Sequence, residues 1–153
     1  MLYLFDLDST LIAGYMDGGD YSHVEALPGR IEKLAALRQA GHAVGIVTNQ
    51  GGIAFGYNSE GDFEAKLAKS LQALGLAANT PYRVCYHHPK ASLDQYRDEA
   101  GCARRKPSGA MIKELMQELG YSVKQTMFIG DRPEDEQAAD DAGVGFAWER
   151  EFF

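Results

Sequence analysis

The sequence predicts an α/β protein, a doubly wound, three-layer domain whose parallel sheet is sandwiched between helices. Short apolar runs at residues 2–5, 43–48, 82–87, 126–130 and 143–148 alternate with longer amphipathic stretches. That alternation calls for parallel strands joined by right-handed crossovers. The first run, Leu2-Tyr3-Leu4-Phe5, has no polar alternation, as expected of a strand buried on both faces. Polar residues with chemical potential follow the strands: Asp6 and Asp8 the first, Thr48 and Asn49 the second, Asp131 the fourth. Ligands of such sheets bind beyond the carboxyl ends of the strands, where the strand order reverses.

Each element has a local reason. Residues 13–26 are rich in Gly, Asp and Tyr, lack a period and read as a loop. Leu27-Pro28-Gly29 opens a helix with Ile31, Leu34, Ala35, Leu37 and Arg38 in amphipathic spacing, and Gly41 stops it. A second helix is expected over 62–74, with Phe63, Leu67, Leu71 and Leu74 on one face and Gly75 at its end. Residues 88–106 form a long irregular stretch, and loops of that length in a domain are commonly functional or disordered. Pro107-Ser108 starts a third helix, Ser108 capping it and Met111, Ile112, Leu115, Met116 and Leu119 facing the core. Pro133 begins a helix reaching Ala142. Trp148 and Phe152-Phe153 are expected in core or terminal packing.

At 153 residues the chain is expected to form one domain, residues 1–153, acting as a monomer. Hydrophobic residues make up 45% and charged residues 24%, an ordinary globular balance. The formal charge of −7 argues against a general nucleic-acid or membrane-surface binder, but admits an anionic substrate where a divalent cation inverts the local field. No apolar run is long enough to span a bilayer and no charged-then-apolar leader is seen, so a cytoplasmic location is expected. Two cysteines, Cys85 and Cys102, make no disulfide framework; they are free thiols or metal ligands.

In an extended strand, residues two apart point to one side, so Asp6 and Asp8 are expected side by side at the edge of an apolar core. Two buried like charges need a cation, a proton or hydrogen bonds. With Asp131 they form a set of hard oxygen donors suited to Mg2+. Thr48 offers a hydroxyl, the amides around Asn49 and Gly51 an anion cradle, and Lys106 a positive charge just before a helix; Arg105 is a candidate forked donor to substrate. Together these parts suit phosphoryl transfer, in which one carboxylate attacks phosphorus and a second carries a proton. Arg132 is expected at the surface, or paired with Asp135 or Glu136.

Asp6-Leu7-Asp8-Ser9-Thr10, Thr48, Lys106 and Gly130-Asp131-Arg132-Pro133-Glu134-Asp135 resemble the four ordered motifs of the haloacid dehalogenase (HAD) superfamily. The resemblance implies a Rossmann-like core and the following roles. Asp6 is the nucleophile that becomes an aspartyl-phosphate; Asp8 protonates the leaving group and activates water. Mg2+ lies between Asp6, the Asp8 backbone carbonyl and Asp131, with Asp135 in support; Thr48 and Lys106 hold the phosphoryl group. Thr48-Asn49-Gln50-Gly51-Gly52, Cys85-Tyr86-His87-His88-Pro89 and Arg105-Lys106-Pro107 resemble more closely the capless branch of heptose-bisphosphate and histidinol-phosphate phosphatases and, more distantly, polynucleotide 3'-phosphatases. That branch implies an open crevice without a cap and a small phosphorylated metabolite, a sugar bisphosphate or histidinol phosphate, as substrate; nucleic acid is disfavoured by the negative charge.

Members of that branch hold a structural Zn2+ through Cys-x-His and a later Cys-x-Cys. Cys85, His87 and Cys102 match three of these ligands, and Arg104 stands at the fourth. Structural zinc is almost always four-coordinate, so a loop held by packing is favoured over a retained Zn2+. A non-hydrolytic, receiver-like phospho-accepting module is the rival of another class. It disagrees with the order of motifs, because its phosphorylated Asp follows the third strand, whereas here that strand leads to Cys85 and His87.

Overall fold

The computed structural model describes residues 1–14, 23–99 and 101–153. Most of the stretch expected as a loop at 13–26 lies outside the described residues. Five strands, β1 (Leu2–Phe5), β2 (Ala43–Asn49), β3 (Tyr82–Cys85), β4 (Thr126–Gly130) and β5 (Gly145–Trp148), form one sheet in the order β3-β2-β1-β4-β5. Every pairing is parallel. Phe5 pairs with Ile46 on one side and Ile129 on the other, so the carboxyl ends of the three central strands are level. The chain builds outward from β1 through β2 to β3, then crosses to β4 and β5. The reversal falls between β1 and β4, which brings Asp6 and Asp131 to neighbouring strand ends. The order also differs from the 2-1-3-4-5 order of flavodoxin-like receivers.

The helices are α1 (Arg30–Gln39), α2 (Glu60–Ala73), α3 (Ala110–Leu119), α4 (Pro133–Ala142) and α5 (Glu149–Phe152). Alternating strand side chains feed two cores. Leu2, Leu4, Val47 and Phe128 pack with Met111, Ile112 and Leu115 of α3 and Ala138, Ala139 and Ala142 of α4. Phe5, Ile46 and Ile129 pack with Leu34 and Leu37 of α1 and Phe63, Leu67 and Leu71 of α2. Each of these side chains larger than alanine contributes about 1.5–3 kcal/mol on full burial. Among the described residues no helix is long and apolar enough to cross a membrane.

Several boundaries differ from the sequence expectation, each for a local reason. α2 starts at Glu60 rather than 62 because Ser59 caps it: Ser59 Oγ accepts from the Asp62 amide at 3.1 Å, and Asp62 Oδ2 accepts from the Ser59 amide at 2.8 Å. In α1, Ile31, Ala35 and Arg38 face solvent, Ile31 being 45% exposed, and Arg30 is the buried member. Arg30 Nε donates to the Thr10 carbonyl at 2.9 Å, its guanidinium lies 4.3 Å from the Phe153 ring centroid, and it pairs with Glu149. The C-terminal helix α5 was not anticipated; it carries Phe152 and Phe153 onto Phe5, with ring centroids 5.8 Å apart in both pairs. Strand β3 ends at Cys85, two residues short of expectation, and β5 begins at Gly145 because Gly143, left-handed at φ 75°, closes α4.

Helix α3 begins at Ala110, after a cis Lys106-Pro107 bond, instead of at Pro107-Ser108. Ser108 still serves the first turn, its Oγ accepting from the Ala110 amide at 3.2 Å. The N-cap is Gly109, whose amide donates to Asp141 Oδ2 at 2.7 Å. A Cβ on Gly109 would lie 2.6 Å from the Ala142 nitrogen and 2.7 Å from the Ala138 oxygen. Backbone on both sides cannot give way cheaply, so α3 and α4 approach only because residue 109 is glycine. Gly109→Ala is therefore expected to destabilise the protein by about 1–3 kcal/mol, the cost of overpacking, read as a lower midpoint in urea unfolding with unchanged slope.

Candidate active site

Strand β1 ends at Phe5, and the Asp6 amide donates to the Ile129 carbonyl at 2.9 Å, anchoring Asp6 beside β4. The chain then turns at once. The Leu11 amide donates to the Leu7 carbonyl at 2.9 Å, and Ser9 takes a left-handed backbone at φ 64°. The extended two-residue period therefore does not carry on to Asp8. Both acids reach the same crevice, but they are held by different partners. The turn also sends Thr10 Oγ1 back to Asp131 Oδ1 at 3.3 Å and Asp6 Oδ2 at 3.5 Å, joining the two strand ends.

Lys106 lies at the centre. Its side chain is 4% exposed, and its Nζ donates to Asp6 Oδ1 at 2.7 Å, Asp135 Oδ1 at 2.6 Å and the Val47 carbonyl at 3.2 Å. Burial opposes the ammonium charge, but Asp6 and Asp135 outweigh burial and hold the lysine above its ordinary pKa. Burial acts on Asp6 too. It pushes the carboxyl up to about 7; Lys106 pulls it back, and Asp135 and Asp8 add repulsion. Asp131 is raised by burial and by Asp135.

Backbone geometry serves this cluster. Asp135 Oδ2 accepts from the Asp131 and Arg132 amides, both at 3.1 Å, so both oxygens of Asp135 are engaged at the start of α4. Gly130 makes room: a Cβ there would lie 2.4 Å from both Cβ and Oδ2 of Asp135. Asn49, whose backbone amide is expected in the anion cradle, lines the crevice, and its side chain is spent on the Lys106 backbone. Its Oδ1 accepts from the Lys106 amide at 3.0 Å and its Nδ2 donates to the Lys106 carbonyl at 3.1 Å. An amide presents a donor and an acceptor side by side, and the peptide of residue 106 offers the complementary pair.

Asp8 is also held through both of its oxygens. Its Oδ1 accepts from Lys66 Nζ at 2.6 Å and its Oδ2 from Gln50 Nε2 at 2.8 Å. Gln50 Nε2 also donates to Thr48 Oγ1 at 2.9 Å. Thr48 itself is 1% exposed and lies beneath Gln50 rather than on the crevice wall. The Thr48 hydroxyl itself donates to the Asn49 carbonyl at 3.3 Å. Neither Gln50 nor Lys66 was singled out from the sequence. A lysine three residues after Phe63 and four before Ser70, inside the buried stripe of α2, was the available signal.

Asp6, Asp8, Gln50, Lys66, Lys106 and Asp135 line a crevice of about 330 Å³ at the carboxyl ends of the central strands, with Arg105 and Arg132 at its edge. Arg105 reaches it, with one guanidinium nitrogen donating to the His87 carbonyl at 3.1 Å. Arg132 is largely exposed and lies 3.8 Å from Asp131, not on Asp135 or Glu136 through its side chain.

Among the described residues, two groups of side chains have the chemistry to hold a cation. Oxygens of Asp6, Asp131 and Asp135 lie within 4.8 Å of one another. Lys106 pairs with Asp6 and Asp135, and Asp131 has only Arg132 at 3.8 Å; three carboxyl groups so close together are hard oxygen donors that a divalent cation fits. Asp135 already accepts three hydrogen bonds, one on Oδ1 and two on Oδ2, so Asp6 and Asp131 are the freer side chains for coordination. In the second group Cys85 Sγ lies 3.2 Å from Cys102 Sγ, and His87 Nδ1 lies 4.0 Å and 3.8 Å from them. A tetrahedral zinc thiolate pair spans about 3.8 Å, so the sulfurs would have to part slightly. Burial and the neighbouring Cys102 push the Cys85 thiol up to about 11. Arg104, at the fourth position, turns away to Glu114, with bonds of 2.8 and 3.0 Å. His88 is turned away as well, its ring against Phe55 and its Nδ1 accepting from the Lys90 amide at 3.0 Å. Arg83 also pairs with Glu114, so an Arg–Glu cluster ties this loop to α3.

A parallel sheet with acids and a buried lysine at its switch point defines the haloacid dehalogenase-like hydrolases, and the chain belongs to that family, whose model matches residues 17–143. Within it, the chain is 35% identical over 150 residues to the D-glycero-beta-D-manno-heptose-1,7-bisphosphate 7-phosphatase of Rhodopseudomonas palustris, covering 95% of this chain and 82% of the relative. Its identity to the same-named protein of Escherichia coli K12 is 32% over 143 residues, covering 92% and 73%. Among solved structures, the D,D-heptose 1,7-bisphosphate phosphatase of B. bronchiseptica, complexed with magnesium and phosphate, superposes with a TM-score of 0.77 at 27% identity, covering 95% of this chain and 78% of that one. The chain is thus a hydrolase whose relatives place it among the phosphatases.

Gly130→Ala tests the packing of the cluster. The added methyl displaces Asp135, and with it the Lys106–Asp6 contact. Phosphatase kcat/KM is expected to fall at least about tenfold, because small misplacements of reacting groups are costly. Steady-state kinetics of the folded variant, verified by circular dichroism, checks this.

Proposed function

We propose that this haloacid dehalogenase phosphatase is a Mg2+-dependent phosphomonoesterase that acts on a small phosphorylated sugar, of the heptose-1,7-bisphosphate class, through an aspartyl-phosphate on Asp6. The observation that carries the reading is the buried Lys106 held between Asp6 and Asp135 at the crevice floor, 2.7 and 2.6 Å from their oxygens. It puts a carboxylate nucleophile next to a fixed cation that can neutralise phosphoryl oxygens. Asp6, Asp131 and the Asp8 backbone carbonyl would hold Mg2+, with Asp135 in support. The ion would offset charge on the phosphoryl oxygens and on the acids.

In this reading an Asp6 carboxylate oxygen attacks phosphorus. The bond to the ester oxygen breaks, and protonated Asp8 delivers its proton to that oxygen. Asp8, now a carboxylate, takes a proton from water as the water oxygen attacks phosphorus. The Asp6–phosphorus bond breaks, releasing inorganic phosphate and restoring both acids. Thr48 would reach the phosphoryl group only by giving up its bond to the Asn49 carbonyl and emerging from beneath Gln50, and Arg105 at the rim is a contact for the remainder of the substrate. The sugar substrate is supported by the relatives named above and by a crevice large enough for a small metabolite. Zn2+ at Cys85, His87 and Cys102 is a further proposal, with solvent completing the set; metal analysis of the purified protein decides it.

Phosphate release from heptose 1,7-bisphosphate, histidinol phosphate and a 3'-phosphorylated oligonucleotide, each with Mg2+, tests the function. The sugar bisphosphate is expected to give the highest kcat/KM. Asp6→Asn should form no phosphoenzyme. Asp8→Asn should still form some and lower turnover at least about 100-fold, the lower range of general acid–base catalysis. Undiminished phosphate release by Asp6→Asn would falsify the proposed chemistry.

A further inference from the structure

Helix α2 carries a cation within its buried stripe. Phe63, Lys66, Leu67, Ser70 and Leu71 are its buried residues, and the Lys66 side chain is only 2% exposed. An ammonium group there is costly unless paired, and an aliphatic residue would complete the stripe more cheaply. What Lys66 gains is a direct bond to Asp8. Its Nζ donates to Oδ1 at 2.6 Å, while Gln50 Nε2 donates to Oδ2 at 2.8 Å. Each carboxylate oxygen is thus held by its own donor, one from α2 and one from the end of β2. Gln50 is in turn fixed by its bond to Thr48. Two donors on two elements define the plane of the carboxylate as one donor cannot. Each oxygen also keeps a second lone pair, so Asp8 remains able to accept a proton while it is held.

We propose that Lys66 is a positioning residue that fixes the Asp8 side chain in the orientation from which it delivers a proton to the leaving-group oxygen. Lys66 acts through Asp8 and needs no contact with substrate. The proposal rests on Asp8 being the proton carrier of the phosphatase reaction. It also gives a physical reason for a lysine at this helix position, which helix propensity and core packing do not supply.

The test exploits leaving groups that need a proton to different degrees. A 4-nitrophenolate leaves readily without one; a sugar alkoxide does not. The value of kcat/KM is the parameter to compare, because it reports steps up to phosphoryl transfer and omits later hydrolysis. Lys66→Met keeps the side-chain bulk and the helix while removing the charge. It is expected to lower kcat/KM about ten- to a hundredfold for an alkyl phosphate such as a sugar monophosphate, part of what general acid catalysis supplies, but less than about threefold for 4-nitrophenyl phosphate. The ratio of the two losses does not depend on how much of the variant is folded. Lys66→Arg, which keeps a donor, is expected to recover part of the loss on the alkyl phosphate. Equal losses on both substrates, or none on either, would overturn the proposal while leaving the phosphatase reading intact. Activity of Asp6→Asn on either substrate would instead strike at the phosphatase reading itself.

Discussion

One buried ammonium group organises this molecule. Lys106 Nζ bridges Asp6 and Asp135 and touches the Val47 carbonyl, so a single atom connects the ends of β1 and β2 with the first turn of α4. Such a group is held only if every partner is in place, because removing one leaves an uncompensated buried charge, a loss of about 3–5 kcal/mol. The surrounding devices make sense as answers to that constraint. Asn49 grips both sides of the Lys106 peptide, Gly130 leaves space for Asp135, and the left-handed Ser9 turns Thr10 back toward Asp6 and Asp131.

The balance of charge in the cluster links its stability to its chemistry. One lysine faces three carboxyl groups, and burial raises Asp6 to about 7 even with the lysine in contact. An acid whose pKa is raised on folding favours the folded state below its unfolded value, near 3.8, and gives up that contribution as pH rises through about 7. Without a further cation, then, the ionised form that the proposed chemistry requires is the form the fold holds less well. A divalent ion at Asp6 and Asp131 would reverse this preference. The same crevice would then be stabilised by what makes it reactive.

Much of this could be read from the order of residues. The apolar runs before Asp6 and Asp131 and the position of Lys106 ahead of a helix are local features; the runs marked the strand ends, and the structure brings Asp6 and Lys106 together beyond them. What escaped was non-local. Strand order is set by crossovers that leave no local signature, so the adjacency of β1 and β4 had to be observed. Lys66 lies 58 residues from Asp8 along the chain, and a lysine in a helix ordinarily reads as solvated. The side chain of Asn49 holds the Lys106 peptide, a contact across 57 residues that no local pattern announces. In α1 the apolar Ile31 appeared to be the core residue, yet Arg30 took the buried place because Thr10, Glu149 and Phe153 together satisfy its guanidinium.

The central claim is that Asp6 must ionise for the cluster to hold its cation. Thermal unfolding with and without Mg2+, at pH 5.5 and pH 8, in the native protein and in Asp6→Asn, tests it most directly. Because metal ligands must be deprotonated, the account predicts a Mg2+-induced rise in Tm that is clearly larger at pH 8 than at pH 5.5 and is lost in Asp6→Asn. An equal rise at both pH values, or a rise that survives in Asp6→Asn, would contradict it.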